Sequence, residues 1–280
     1  METFIAILIS ACIGIVEGIT EWLPVSSTGH MLLLEELVHL DNYVSEAFYS
    51  FFLVAIQLGA VMAVVVLYFN KLNPLSPKKS PEEKKSTWRL WLMVLVGVIP
   101  AAVIGIPFDD WIEEHLYGYY IIAAALIVYG ILFIVMERLR KGKENKVENV
   151  EEMSFKTAFA IGCFQILSLI PGTSRSGSTI LGGMLLGTSR TAAAEFSFFM
   201  ALPVMLGASL LRGLKFIVKG VAITGAEVAV LIVGIAVAFI VSYMAIRFLM
   251  SFVKKHSFEV FGWYRIALGA LVLLFGLIFM

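Results

Sequence analysis

Charge is scarce in this sequence: 15% of its 280 residues are Asp, Glu, Lys or Arg, against about 25% in a soluble domain. Neither sign is in excess, because 21 basic residues face 21 acidic ones, so no cationic field argues for nucleic acid as a partner. Cysteine is nearly absent. Cys12 and Cys163 stand alone in apolar stretches, without the close spacing of a metal or redox motif, and are expected to be plain packing residues. The first twenty residues include Glu2 and no Lys or Arg; lacking the basic region of a cleaved signal peptide, they are expected to stay in the protein.

What is abundant is apolar surface, with 60% of residues hydrophobic. That surface must face lipid, which makes the chain an all-α integral membrane protein by expectation. Crossing a bilayer takes about 20 apolar residues in a helix, and six stretches qualify, near 49–69, 90–108, 119–136, 194–211, 226–248 and 264–280. Two others break midway. Residues 4–20 run into Glu17, Glu21, Pro24 and the polar Ser26-Ser27-Thr28-Gly29-His30, then resume to about Val38. Residues 157–170 run into Pro171-Gly172-Thr173-Ser174-Arg175-Ser176-Gly177-Ser178-Thr179, then resume to about Leu186. Short helical arms around a polar Pro/Gly break predict two re-entrant hairpins, whose irregular backbone is tolerable at membrane depth only within protein or beside a water-filled cavity.

The breaks belong to an internal repeat. Leu23-Pro24-Val25-Ser26-Ser27 aligns with Ile170-Pro171-Gly172-Thr173-Ser174, and Tyr49-Ser50-Phe51-Phe52 with Phe196-Ser197-Phe198-Phe199, both at an offset of 147. Tyr129-Gly130-Ile131-Leu132-Phe133 aligns with Phe275-Gly276-Leu277-Ile278-Phe279 at 146. The chain therefore reads as a single membrane domain, 1–280, with a first repeat at 1–137, a linker at 138–156 and a second repeat at 157–280. Lys and Arg crowd the 70–89 loop and the 138–156 linker, which predicts that both are cytoplasmic. The connections at 35–48 and 107–118 carry acids and no Lys or Arg and are expected outside. Three crossings plus one hairpin per half give two inverted-topology repeats, whose broken helices meet near the bilayer midplane. On this topology Arg212, Lys215 and Lys219 fall outside, against the charge rule.

Glu17 and Glu21 are four apart, so their carboxylates share one helix face. In hydrocarbon they need a divalent cation, a basic partner or water; the alternative is that they mark the mouth of a helix at the interface. Ser26, Ser27, Thr28 and His30 offer hydroxyls beside an imidazole, which suits a nucleophile and its base but equally suits helix caps and turns. The Pro171–Thr179 segment combines hydroxyls, glycines and Arg175, a composition that wraps anionic oxygens; Arg175 could instead neutralise Glu17 or Glu21. The simplest ligand is a phosphate whose apolar remainder stays in the bilayer. Composition alone leaves phosphatase and anion transporter equally open.

These motifs resemble the undecaprenyl-diphosphate phosphatase family, also called the bacitracin-resistance protein family. The first signature is Glu17-Gly18-Ile19-Thr20-Glu21-Trp22-Leu23-Pro24-Val25-Ser26-Ser27-Thr28-Gly29-His30 and the second Pro171 to Thr179, with further likeness at Ile56-Gln57-Leu58-Gly59, Gly162-Cys163-Phe164-Gln165, Glu195-Phe196-Ser197-Phe198 and Tyr264-Arg265. The resemblance implies removal of the terminal phosphate of undecaprenyl diphosphate, giving the monophosphate carrier re-used in peptidoglycan synthesis. It also implies a bacterial cell-membrane location with the site open to the outer side, a divalent metal, Mg²⁺ or Ca²⁺, and bacitracin resistance. By that likeness Glu17 and Glu21 are the acidic, metal-holding pair, Ser27 and His30 are catalytic, and Arg175 with Ser174 holds phosphate. Ser26, Thr28, Thr173, Ser176 and Thr179 complete the expected phosphate-binding set.

The preferred reaction has Ser27 as nucleophile, activated by His30 or a Glu; in a second version water attacks and Ser27 only binds phosphate. The rival function is a transporter or flippase of undecaprenyl phosphate, and the third a membrane scaffold with a satisfied polar core. Expected partners are the polyprenyl diphosphate and membrane lipids, with no nucleic acid. The apolar surface is also compatible with a homodimer, because lipid-facing and subunit-facing helix surfaces look alike. No chemistry is assigned to Asp110, Glu152, His39, His115 or His256.

Overall fold

The computed structural model describes residues 1–218 and 223–279; Lys219 and Met280 therefore lie outside the described residues. Eleven α-helices account for most of them: α1 (Glu2–Thr20), α2 (Ser27–Glu35), α3 (Glu46–Leu67), α4 (Phe69–Leu72), α5 (Pro81–Leu116), α6 (Tyr119–Arg140), α7 (Phe155–Ile166), α8 (Arg175–Leu185), α9 (Arg190–Val218), α10 (Gly225–Val253) and α11 (Glu259–Phe279). Seven are long and apolar enough to cross a membrane: α1, and α3, α5, α6, α9, α10 and α11, which match the six expected stretches except that 49–69 runs past the end of α3 at Leu67 and 264–280 ends on Met280, outside the described residues. The protein is thus a multi-pass, all-helical membrane protein.

Several helices outrun their apolar windows because polar caps extend them. Ser80 and Glu83 form a capping box and Pro81 occupies the first turn of α5, where a missing N–H costs nothing. Thr224 and Glu227 box the start of α10 in the same way. The expected 70–89 loop is therefore partly α4 and the first turns of α5. Likewise, residues 107–116 are not an outer loop but the end of α5, which continues through Pro100 and Pro107; prolines are tolerated in membrane helices where neighbouring groups re-satisfy the backbone. The 138–156 linker is shortened at both ends, by α6 reaching Arg140 and α7 starting at Phe155.

Contacts sort the helix ends into two sets. At the linker end, the Glu137 carboxylate of α6 accepts from Arg190 of α9 and from the Phe258 N–H just before α11. Nearby, Lys71 Nζ lies 2.7 Å from Glu151 and 2.9 Å from Glu195. Burial opposes the ammonium there, but the two carboxylates hold its pKa above the ordinary lysine value. At the opposite end, Tyr49 donates to Glu35, and Ser45 donates to Glu227. Arg212 and Lys215, the cations that break the charge rule, share a cavity of about 380 Å³ there with Glu46, Asp109, Asp110 and Glu113, so acids offset them locally.

Each hairpin enters from one of these ends. α1 runs beside α10, with Gly14 against Gly234 and Gly18 against Ala238 and Ser242, and α2 returns to the Tyr49 end. α7 runs beside α5 with Gly162 against Gly97, and α8 returns to the linker end, where the Met184 carbonyl accepts from Arg140. Between the halves, α3 packs on α9 and α6 on α11. The α6–α11 crossing is reciprocal: a Cβ at Gly130 would sit 2.7 Å from the Gly262 carbonyl oxygen, and one at Gly262 the same distance from that of Gly130. Such close backbone approach is how membrane helices gain van der Waals contact without a hydrophobic drive. The largest core surrounds the hairpin tips, with Trp22, Phe133, Phe196, Phe198 and Phe199 fully buried. The cysteines correct an expectation. Cys12 and Cys163 are exposed rather than packed inside, and a thiol, being a small hydrophobe, suits a lipid-facing position as well as a core.

Candidate active site

Both hairpins turn on a serine in a backbone conformation that serine rarely adopts. Ser26 has φ 74° and Ser174 has φ 72°, and among the described residues they are the non-glycine positions with positive φ. Each is the N-cap of the returning helix: Ser26 Oγ accepts from the Gly29 N–H and Ser174 Oγ from the Gly177 N–H. A strained backbone of this kind costs about 1–3 kcal/mol and persists where the surroundings over-determine it. The two caps are 148 apart, whereas the prolines before them are 147 apart. In the folded chain Ser27 therefore stands opposite Arg175, each at the first position of its helix.

These two residues converge on one carboxylate. Glu21 Oε2 accepts from Ser27 Oγ at 3.1 Å, and Glu21 Oε1 accepts from Arg175 Nη2 at 3.1 Å. Of the readings left open for Arg175, its ion pair with Glu21 is the one present here. Arg175 also donates to the Ser197 carbonyl at 2.7 Å and lies over the Trp22 ring, 5.8 Å from its centroid. Its Nε is buried without a partner. Glu17, one turn back on α1, is 3% exposed, and its Oε1 also lacks a partner.

His30 lies on the far side of the cap. Its Nδ1 is 2.7 Å from the Ser26 carbonyl oxygen, which can only accept, so Nδ1 carries a proton. Nε2 then accepts from the Tyr264 hydroxyl at 2.7 Å, and the two rings stack. The next residue, Arg265, is wholly buried. It donates to the Pro24 carbonyl of the first hairpin at 3.2 Å and to the Gly172 and Thr173 carbonyls of the second at 2.8 Å each. Gly172 has φ +91°, and a Cβ there would meet the Ile122 carbonyl oxygen at 2.6 Å, so only glycine fits this turn.

Several of the remaining expected phosphate-binding groups have their hydroxyls already engaged. Ser176 donates to the Glu21 carbonyl at 3.1 Å, and Thr179 donates to Ser197 Oγ at 2.7 Å. Ser26 and Thr173 are buried. Thr28 is half-buried on α2. Tyr264, Ser197 and Trp22 received no role from sequence. Arg265 received none either, although a lone cation at the start of an apolar span was a usable signal, since intramembrane charges are costly and need partners.

For a metal, the donor set fits a hard cation in part. Glu17 and Glu21 offer carboxylate oxygens, the ligands Mg²⁺ and Ca²⁺ prefer, and the orphaned Glu17 oxygen is available. Among the described residues no group of three or more His, Cys, Asp or Glu converges on one point, so substrate oxygens or water would complete the shell.

Residues 10–271 match the family described as bacitracin resistance protein BacA. The chain is 54% identical to the undecaprenyl-diphosphatase of Streptococcus mutans serotype c, across 98% of this chain and 97% of that one. It is 54% identical to the undecaprenyl-diphosphatase of Lactiplantibacillus plantarum, across 93% and 94%, and 50% identical to that of Lactobacillus delbrueckii subsp. bulgaricus, across 100% and 99%.

Proposed function

The chain belongs to the bacitracin resistance protein BacA family, and from that membership and the carboxylate shared between the hairpins we propose that it hydrolyses undecaprenyl diphosphate to undecaprenyl phosphate and inorganic phosphate. The polyprenyl tail stays among the lipid-facing helices while the diphosphate reaches the hairpin tips. The linker end faces the cytoplasm of a bacterial cell, as its Lys and Arg content favours, the halves are inverted repeats, and the site opens to the outer side. Release of the monophosphate then recycles the lipid carrier for peptidoglycan synthesis.

The observation that carries the site assignment is the Glu21 carboxylate, held by Ser27 from one hairpin and Arg175 from the other. An arriving phosphate competes with Glu21 for the guanidinium, and Arg175 prefers a fork of anionic oxygens. Once relieved of Arg175, Glu21 keeps its contact with the Ser27 hydroxyl and is placed to take its proton. Ser27 Oγ attacks the distal phosphorus, its proton passes to Glu21, and the bond from phosphorus to the bridging oxygen breaks, expelling the lipid monophosphate. Water then cleaves the phosphoserine, returning the serine hydroxyl and releasing phosphate. His30 touches Ser26 and Tyr264 rather than Ser27, which favours Glu21 over His30 as the base. Glu17 and Glu21 would hold a divalent cation, Mg²⁺ or Ca²⁺, which supplies charge neutralisation for phosphoryl oxygens.

The test follows ³²P from distally labelled undecaprenyl diphosphate through a brief, acid-quenched reaction. Label on wild-type protein but not on S27A supports the phosphoserine route; free phosphate released by S27A at a near-normal rate makes water the nucleophile. No phosphate from metal-supplied wild-type protein that still binds the lipid would overturn the hydrolytic reading itself.

A further inference from the structure

A second polar concavity lies at the linker end, away from the hairpin tips. Its volume is about 440 Å³, and it is walled by the ends of α6, α8 and α10 and the start of α9. Five cationic side chains line it, Arg140, Lys141, Lys143, Arg190 and Lys254, against one carboxylate, Glu137. That carboxylate is occupied: Arg190 grips it through Nε at 2.8 Å and Nη2 at 2.6 Å, and the Phe258 N–H donates to it at 2.7 Å.

The wall is built rather than incidental. Arg140 is fixed by the Met184 carbonyl and by Asn145 Oδ1. The strand-like segment before α7 is stitched to the α8–α9 turn, with Lys146 N donating to the Gly187 carbonyl at 2.8 Å and Ser189 N to that of Val147 at 2.8 Å. Basic residues at the ends of α6 and α10 also complement those helix dipoles. That role explains Arg140 and the C-caps Lys141 and Lys254, but not the exposed Lys143 beyond them, which makes no ion pair among the described residues. α6, α9 and α10, whose ends meet here, are each long and apolar enough to cross a membrane, so on the proposed topology the cavity lies at their cytoplasmic ends, beside the lipid headgroups. Basic pockets at that depth suit phosphate-bearing headgroups.

The geometry points to a second anion site here, one that takes a phosphate group, either on a lipid or free, independently of the hairpin site. α8 joins the two, with Arg175 at one end and the cavity at the other; its 11 residues span roughly 16 Å at about 1.5 Å per residue. One protein thus holds two phosphate sites, one between the hairpin tips and one at the linker end.

Dodecyl phosphate is the probe, titrated by equilibrium dialysis against purified full-length protein in an uncharged detergent. The proteins are wild type, R175Q and K141Q/K143Q. Two classes of site are expected on wild type. R175Q should lose one and keep the other, whereas K141Q/K143Q, which removes two charges, should weaken the second roughly thirtyfold, while still releasing phosphate from undecaprenyl diphosphate at the wild-type rate. Competition by inorganic phosphate at the lysine-dependent site would assign it to the free anion, and its failure to compete to a lipid headgroup; either supports a phosphate site. A single class on wild type, or a second class unmoved by K141Q/K143Q, would overturn the proposal. Hydrolysis by K141Q/K143Q keeps that reading separate from misfolding, and the R175Q arm keeps it separate from the hairpin assignment.

Discussion

Replacing Arg265 isolates the contribution of hairpin registration. The guanidinium is wholly buried and gives its hydrogen bonds to three backbone carbonyls, one on the first hairpin and two on the second, while lying 5.5 Å from the centroid of the Tyr129 ring. Arg265→Met keeps the packing volume and deletes all three bonds. A hydrogen bond to a charged donor is worth about 1.5–3 kcal/mol, and each carbonyl left without a partner adds its own penalty. Partial relaxation and water entry bring the expected loss to about 3–5 kcal/mol, the range for breaking a buried charged contact. That corresponds to a fall in melting temperature of roughly 10 °C for a domain of this size. Misplacement of reacting groups by about 1 Å costs on the order of 100-fold in rate, so kcat/KM for phosphate release should fall by about that factor even below the melting transition. Arg265→Lys keeps a point charge that reaches fewer carbonyls and should lie between. The measurement is thermal unfolding in detergent paired with initial rates at low temperature. An R265M protein that melts as wild type does and hydrolyses within about threefold of it would refute the view that Arg265 registers the two hairpins.

Glu137→Gln should destabilise the linker end by about 2–3 kcal/mol, because Arg190 and the Phe258 N–H lose a charged acceptor; thermal unfolding reads this, and the rate per folded molecule should not change. Chelation with EDTA should stop phosphate release and added Mg²⁺ restore it, and Glu17→Gln should raise the Mg²⁺ needed for half-maximal rate by about tenfold, one charged ligand being lost. Tyr264→Phe removes the hydroxyl that donates to His30 Nε2; a rate loss of about 3- to 10-fold with stability changed by less than about 1 kcal/mol, the net worth of one hydrogen bond, would place His30 in the reaction, whereas an unchanged rate would confine it to supporting the cap.

Membrane class, the six long apolar spans and the sites of the two breaks were all legible in the linear sequence, because hydropathy and the Pro/Gly punctuation act within a few residues of themselves. The polar set was legible for the same reason: hydroxyls, acids and Arg175 at membrane depth are expensive wherever the chain carries them. Helix boundaries drifted most where the capping box at Ser80 starts α5 at Pro81, ahead of its apolar window. What only the tertiary structure decided is pairing across large sequence separations. Ser27 and Arg175 meet on Glu21, and Arg265 reaches carbonyls of both hairpins, because the packing of α1 on α10, α7 on α5 and α6 on α11 brings distant segments to one point. The same holds for Cys12 and Cys163: a lipid-facing helix surface and a core-facing one are equally apolar, so the side on which a residue falls is set by its neighbours in space and not by its neighbours in sequence.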